Sequence, residues 1–159
     1  MKYVNKKLFY KTVNSKRIFS LFNYDGSEYY ELLEKKKNQG YVQLILNSKF
    51  MIDFIKCFNT ENFWAYEIKL IQDDTDYATD LNKLLKSIKR EKNKLILSQV
   101  IKHLDILYST NSIEIEKISL SNNSNKDMSI YSNGVFKLSQ NDSENFSNEI
   151  IEKVSDITK

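Results

Sequence analysis

The longest helical pattern in this chain runs from Asp73 to Thr110 and separates two stretches that read mainly as strands. Tyr77, Leu81, Leu84, Leu85 and Ile88 recur at spacings of three and four, which makes one apolar face. A second set, Leu95, Ile96, Leu97, Val100, Ile101, Leu104, Leu107 and Tyr108, follows. Its centre lies about 120° round from the first. The residues between them, Lys89-Arg90-Glu91-Lys92-Asn93-Lys94, are all polar. One straight helix over this span would be about 55 Å long, against a radius of gyration of roughly 15 Å for a compact chain of this length. The pattern therefore predicts two helices, about 75–90 and 94–109. A continuous bent helix is the alternative, because neither Gly nor Pro marks the break. Asp73-Asp74-Thr75-Asp76 supplies the capping acceptors and negative charge that suit a helix start.

Before this stretch, Lys7–Val13 and Arg17–Tyr24 are rich in β-branched and aromatic residues. They read as a hairpin with the three-residue loop Asn14-Ser15-Lys16. Its second strand is apolar on both faces: Ile18, Phe22 and Tyr24 share one parity, Phe19 and Leu21 the other. Such a strand is either covered on both sides or offers one face to a partner. A short helix follows from Ser27 to Asn38, ended by Gly40, with Lys35-Lys36-Lys37 in its last turn, where cations suit the dipole. Tyr41–Leu46 reads as a buried strand, and Lys49–Phe58 as a helix capped by Asn47 or Ser48. Phe63–Ile71 reads as a strand with Trp64, Tyr66, Ile68 and Leu70 on one face.

After the helices, Ser112–Leu120 alternates with a parity switch at Lys117, which suggests a β-bulge or a change of covered face. Met128–Gln140 reads as a hairpin around Asn133-Gly134, the pair a two-residue type I′ turn prefers. Asp142–Ile157 sets Phe146, Ile150, Val154 and Ile157 on one face of a C-terminal helix. The expected fold is α+β, a mixed and mostly antiparallel sheet with packed helices. It is read as one domain over 1–159, with 1–72, 73–110 and 111–159 as its natural subdivisions.

Charge is unevenly spread. The net value is +3, but Lys and Arg outnumber Asp and Glu by 11 to 5 in residues 1–60, and are outnumbered 5 to 8 in residues 111–159. The single cysteine, Cys57, allows no internal disulfide and suits a reducing compartment. No apolar run approaches a membrane span. These features predict a cytoplasmic protein of a bacterial host cell. The abundance of Lys, Asn and Ile, with no Pro, is the bias that AT-rich coding produces.

The search for chemistry returns little. His103 is the only histidine and falls near the apolar stripe of the second central helix, where a partly buried role at a helix–helix contact is expected. A zinc site would need two carboxylates beside Cys57 and His103. A Cys57–His103 dyad is disfavoured by the apolar neighbours Phe54, Ile55 and Phe58. The acidic group Asp73, Asp74, Asp76 and Asp80 lacks the glycine and spacing of a calcium loop. The three glycines form no phosphate loop. Neither a catalytic set, nor a metal, nor a cofactor is expected. The basic start, with Lys6, Lys7, Tyr10, Lys11, Lys16, Arg17 and Phe19, interleaves cations and rings in the manner of a single-strand binder.

In size, coding bias and lack of a catalytic set, the chain resembles the small proteins by which phages and mobile elements of low-GC bacteria disable host defence. Among these it is most similar to the anti-CRISPR inhibitors of type II nucleases. The resemblance is global and carries no motif. It implies a non-enzymatic inhibitor that binds a Cas9-type nuclease by protein–protein contact and blocks DNA cleavage. The expected contacts are the acidic turn Asp73, Asp74 and Asp76 and the aromatic Tyr30. The alternative is a small nucleic-acid-binding or regulatory protein that uses the basic N-terminal hairpin. That reading requires a continuous positive surface joining the hairpin to Lys35–Lys37.

Overall fold

A computed structural model describes residues 2–58, 63–71, 75–91, 93–110 and 114–159, with backbone alone for helical residues 75–78 and 94. The fold is α+β. Among the described residues there are seven strands and five α-helices. The chain divides into two compact units, Met1–Ile45 with Asn133–Lys159, and Leu46–Ser132. Among the described residues, the strand pairings within each unit are antiparallel.

In the first unit, β1 (Tyr3–Val13) pairs with β2 (Lys16–Asn23) on one edge. Its other edge is shared. β7 (Val135–Ser139) takes Tyr3–Lys7, and the two-residue β3 (Val42–Gln43) takes Phe9 and Tyr10. Leu8 is the junction: its N–H donates to the Gly134 carbonyl at 2.9 Å, and its carbonyl accepts from Leu44 N–H at 3.0 Å. Helix α5 (Ser143–Ile157) lies against β2 and β7 with Phe146, Ile150 and Val154 buried. Helix α1 (Tyr29–Asn38) follows a 3₁₀ turn whose N-cap, Asp25, accepts from Ser27 N–H and Oγ.

Two turns differ from expectation. The first hairpin has a two-residue loop, Asn14-Ser15, because Val13 pairs directly with Lys16. Both loop residues have positive φ, 51° and 64°, which is the type I′ pattern. The connection after β6 has three residues, Ser132-Asn133-Gly134, and only Gly134 has positive φ (81°), so the type I′ turn does not form there. The Asn133 carboxamide instead accepts from Val135 N–H at 3.1 Å. The expected buried strand at Tyr41–Leu46 shrinks to β3, with Val42 and Ile45 exposed, because β7 already occupies the Tyr3–Lys7 part of that edge of β1.

The second unit holds β4 (Phe63–Leu70), β5 (Ile115–Asn122) and β6 (Asp127–Tyr131), in the order β4-β5-β6. Helix α2 (Ser48–Phe58) packs against β4, β5 and α4, and α3 (Thr75–Glu91) against β4 and α4. Asn47 caps α2 by accepting from Phe50 N–H at 2.8 Å. The register of β4 on β5 breaks twice. One irregularity falls at Glu116, beside the parity switch at Lys117. The other falls at Tyr66, where the expected alternation gives way to three consecutive buried residues, Phe63, Trp64 and Ala65.

The central helices are separate: α3 ends at Glu91 and α4 runs Lys94–Ser109. Asn93 makes the break. Its backbone is extended, and its Oδ1 accepts from Leu95 N–H at 3.0 Å and Ile96 N–H at 3.4 Å. Removing this cap by Asn93→Ala is expected to cost about 1 kcal/mol, read as a lower urea midpoint with an unchanged slope. His103 is exposed on α4 rather than partly buried, because the buried stripe is Leu97, Val100, Ile101 and Leu104.

Candidate functional site: a cationic aromatic sheet face

Strand register sorts the basic residues of the first unit. Lys7, Lys11 and Lys16 share one face of the sheet with Phe9, Ile18 and Phe22. Lys6, Tyr10, Arg17 and Phe19 fall on the other, the side on which Lys6 Nζ donates to Ser147 Oγ of α5 at 3.0 Å. Phe19 is buried there. The interleaved set read from the sequence is thus two sets back to back.

The first face carries the site. Phe22 meets Phe9 (centroids 5.7 Å apart) and the edge of Tyr41 (5.0 Å). The Lys36 ammonium, from the last turn of α1, stands 3.5 Å from the Phe22 centroid and 5.9 Å from that of Tyr41. Lys11 stands 5.3 Å from the same Tyr41 ring. Tyr41 therefore joins the hairpin to the Lys35–Lys37 run. Burial first, and the neighbouring Lys35 charge second, push the Lys36 pKa below the ordinary lysine value. Ile18, directly opposite Lys11, is 51% exposed, so the outer end of the face is open.

Lys7, opposite Phe22, is 1% exposed. Its ammonium donates to the Asn133 carbonyl and lies 5.6 Å from the Tyr29 ring. Burial holds its pKa below the ordinary value. Tyr29 is pinned by its hydroxyl, which donates to Gln43 at 3.1 Å, and stacks edge-on against Tyr24 and Tyr30. Tyr30 is 83% exposed and is thereby brought beside this face. Asp73 and Asp74 lie outside the described residues, and only the backbone of Asp76 is described.

None of the nine Lys and Arg among residues 2–45 forms an ion pair with a described residue. Five of them meet neutral groups instead: Lys6 a hydroxyl, Lys7 a backbone carbonyl and a ring, Lys11 and Arg17 a ring each, and Lys36 two rings and an amide. In the second unit six cations, Lys49, Lys56, Lys69, Lys89, Arg90 and Lys117, each reach a carboxylate. Acids are present on the same segment, since Glu28 precedes α1 and Glu31 and Glu34 lie within it. Among the described residues no carboxylate compensates these cations, and Lys11 and Lys36 are presented on aromatic ground, which suits a phosphate chain with bases able to stack. Sequence patterning showed the ingredients but not the convergence on Tyr41. No signal in the sequence marked Lys7 as buried.

The second unit has a polar cluster of its own. The bulge at Tyr66 brings Tyr66 and Glu67 to one group of partners. Glu67 Oε1 accepts from Lys117 Nζ at 2.8 Å and from Ser119 Oγ at 3.3 Å, and Ser119 lies 3.2 Å from Ser129. Lys89 stands 4.0 Å from the Tyr66 centroid and 3.7 Å from Asp127. Burial and the Asp127 carboxylate push the Tyr66 pKa up to about 12, so its hydroxyl stays protonated at neutral pH. Among the described residues no three His, Cys, Asp or Glu side chains converge as a metal site would require. No helix among them is long and apolar enough to cross a membrane. No family model, characterised protein or solved structure matches this chain.

Proposed function

We propose that this protein binds single-stranded nucleic acid on the Lys11–Phe22–Lys36–Tyr41 face of its first unit and works by binding rather than by chemistry. The observation that carries this reading is that the cations in residues 2–45 have no carboxylate partner among the described residues, while Lys11 and Lys36 gather on the Phe22 and Tyr41 rings. Uncompensated ammonium groups gain most from a polyanion, whose counterions they release. Rings between them offer stacking surface to any base, which gives affinity without sequence readout. Fluorescence anisotropy with a labelled oligonucleotide, titrated from 50 to 200 mM salt, tests it. With about three phosphates contacted by Lys11, Lys16 and Lys36, affinity is expected to fall roughly 20-fold over that range. The Lys11→Ala/Lys36→Ala double variant is expected to bind more weakly and with a shallower salt slope. Absence of binding at 50 mM salt, or binding that ignores salt, would overturn the reading.

A second reading, inhibition of a Cas9-type nuclease by protein–protein contact, draws support from a different place. Between α3 and α4 runs a groove of about 310 Å³ lined by Leu81, Leu84 and Val100, with Asp80, Gln99 and His103 at its sides. Leu84 is 41% exposed in it. Binding there would be nearly independent of salt and abolished by Leu84→Asp, with nucleic-acid affinity unchanged.

A further inference from the structure

The second unit contains a cleft that the nucleic-acid reading does not use. It has a volume of about 380 Å³ and lies where Asn82 and Lys86 of α3 meet Glu67–Leu70 of β4 and Lys117 of β5. Its size is within the usual range for small-molecule sites, roughly 300–1,000 Å³. Its floor is fixed. The Asn82 carboxamide accepts from Ile68 N–H at 3.1 Å and donates to the Ile68 carbonyl at 3.0 Å, taking the place of a neighbouring strand. Helix and strand are locked together on either side of the opening.

The charges in the cleft are arranged at a cost. Lys69 and Lys117 are direct cross-strand partners, and like charges so placed repel. Each is drawn aside by a carboxylate, Lys117 by Glu67 at 2.8 Å and Lys69 by Glu116 at 3.2 Å. A third ammonium, Lys86, enters from the helix and forms no ion pair with a described residue. It is near enough to Glu67 to help hold that carboxyl below its usual range, behind the larger effect of Lys117. Both hydrogen bonds to Glu67 end on Oε1, so Oε2 has no donor among the described residues. The cleft therefore holds an unclaimed cation within a group of three and an unclaimed acceptor beside it.

We propose that this cleft binds a small phosphomonoester that also carries hydroxyl groups, of the sugar-phosphate class. The phosphate sits among Lys69, Lys86 and Lys117, and a ligand hydroxyl donates to Glu67 Oε2. A dianion there removes the repulsion between the paired lysines, and the hydroxyl uses the acceptor that a bare phosphate would leave against its own charge.

Isothermal titration of the full chain with ribose 5-phosphate, inorganic phosphate and ribose, at constant ionic strength, tests the assignment. Ribose 5-phosphate is expected to bind in the submillimolar range, inorganic phosphate about tenfold more weakly, and ribose not at all. Lys86→Met, at an exposed helical position, is expected to weaken ribose 5-phosphate at least tenfold with an unchanged melting temperature. Glu67→Gln is expected to narrow the gap between ribose 5-phosphate and inorganic phosphate. Lack of binding by both phosphates, or full affinity in the Lys86→Met variant, would overturn the proposal. Oligonucleotide binding by the first unit is a separate readout and is expected to survive both substitutions.

Discussion

Lys7→Met is expected to raise the stability of the protein while weakening the nucleic-acid binding proposed above. Lys7 is 1% exposed, and no carboxylate among the described residues meets its ammonium. Its partners are the Asn133 carbonyl and the Tyr29 ring. A desolvated charge with only neutral partners is costly, and an apolar side chain of similar length removes that cost. The expected gain is about 1–2 kcal/mol, or roughly 3–6 °C in melting temperature for a chain of this size. The gain should depend on pH. The folded-state pKa of Lys7 lies below its unfolded value of 10.5. Between the two, the unfolded chain holds a proton that the folded one has released, so wild-type stability rises with pH. The advantage of the methionine variant is therefore largest at neutral pH and shrinks as pH approaches 10.5. Binding moves the other way. Lys7 lies opposite Phe22 under the proposed site, and its loss lowers the local potential. Affinity is expected to drop roughly three- to tenfold at low salt. Thermal melts across pH and anisotropy at 50 mM salt read the two halves. A variant that is stabilised yet binds as well as wild type would remove Lys7 from the site's electrostatics.

Gly134→Ala is expected to be the most damaging single methyl addition in the first unit. Gly134 has φ of 81°, a region that costs an alanine about 1–2 kcal/mol. The new Cβ would also stand against the Leu44 carbonyl oxygen, which is backbone and cannot swing away. Relief requires parting Gly134 from Leu44, and both are tied to Leu8 by hydrogen bonds. The expected loss is about 3–4 kcal/mol or more, in the range reserved for specific structural conflicts. Urea denaturation measures it, and a loss below about 1 kcal/mol would mean that the Leu8 junction is not formed as described.

The parts of this fold legible in the sequence are those set by local rules. The pair α3 and α4 followed from two apolar stripes at different angles, and Asn93 is the kind of residue that caps a helix. The amphipathic α5 was equally plain. The turns were harder. Asn133-Gly134 is the stronger type I′ signal, yet Asn14-Ser15 makes that turn, because pairing of Val13 with Lys16 leaves only two residues to close the hairpin. The bulge at Tyr66 was hidden by an unbroken alternation from Trp64 to Leu70, since register depends on the partner strand. The candidate site was legible only as composition. Which lysines share a face, and which ring gathers Lys11 and Lys36, is decided by pairings between residues far apart in the chain.

One of those pairings has a consequence for synthesis. Tyr3–Lys7 of β1 pairs with Val135–Ser139 of β7. At about 5–20 residues per second, the ribosome releases that partner roughly 6–26 seconds after the first strand has emerged. Through this interval one edge of a completed hairpin is open to neighbouring nascent chains. Residues 1–24 contain six Lys and Arg and no Asp or Glu. Two such hairpins repel each other, so the cations assigned above to ligand binding also keep unfinished copies apart.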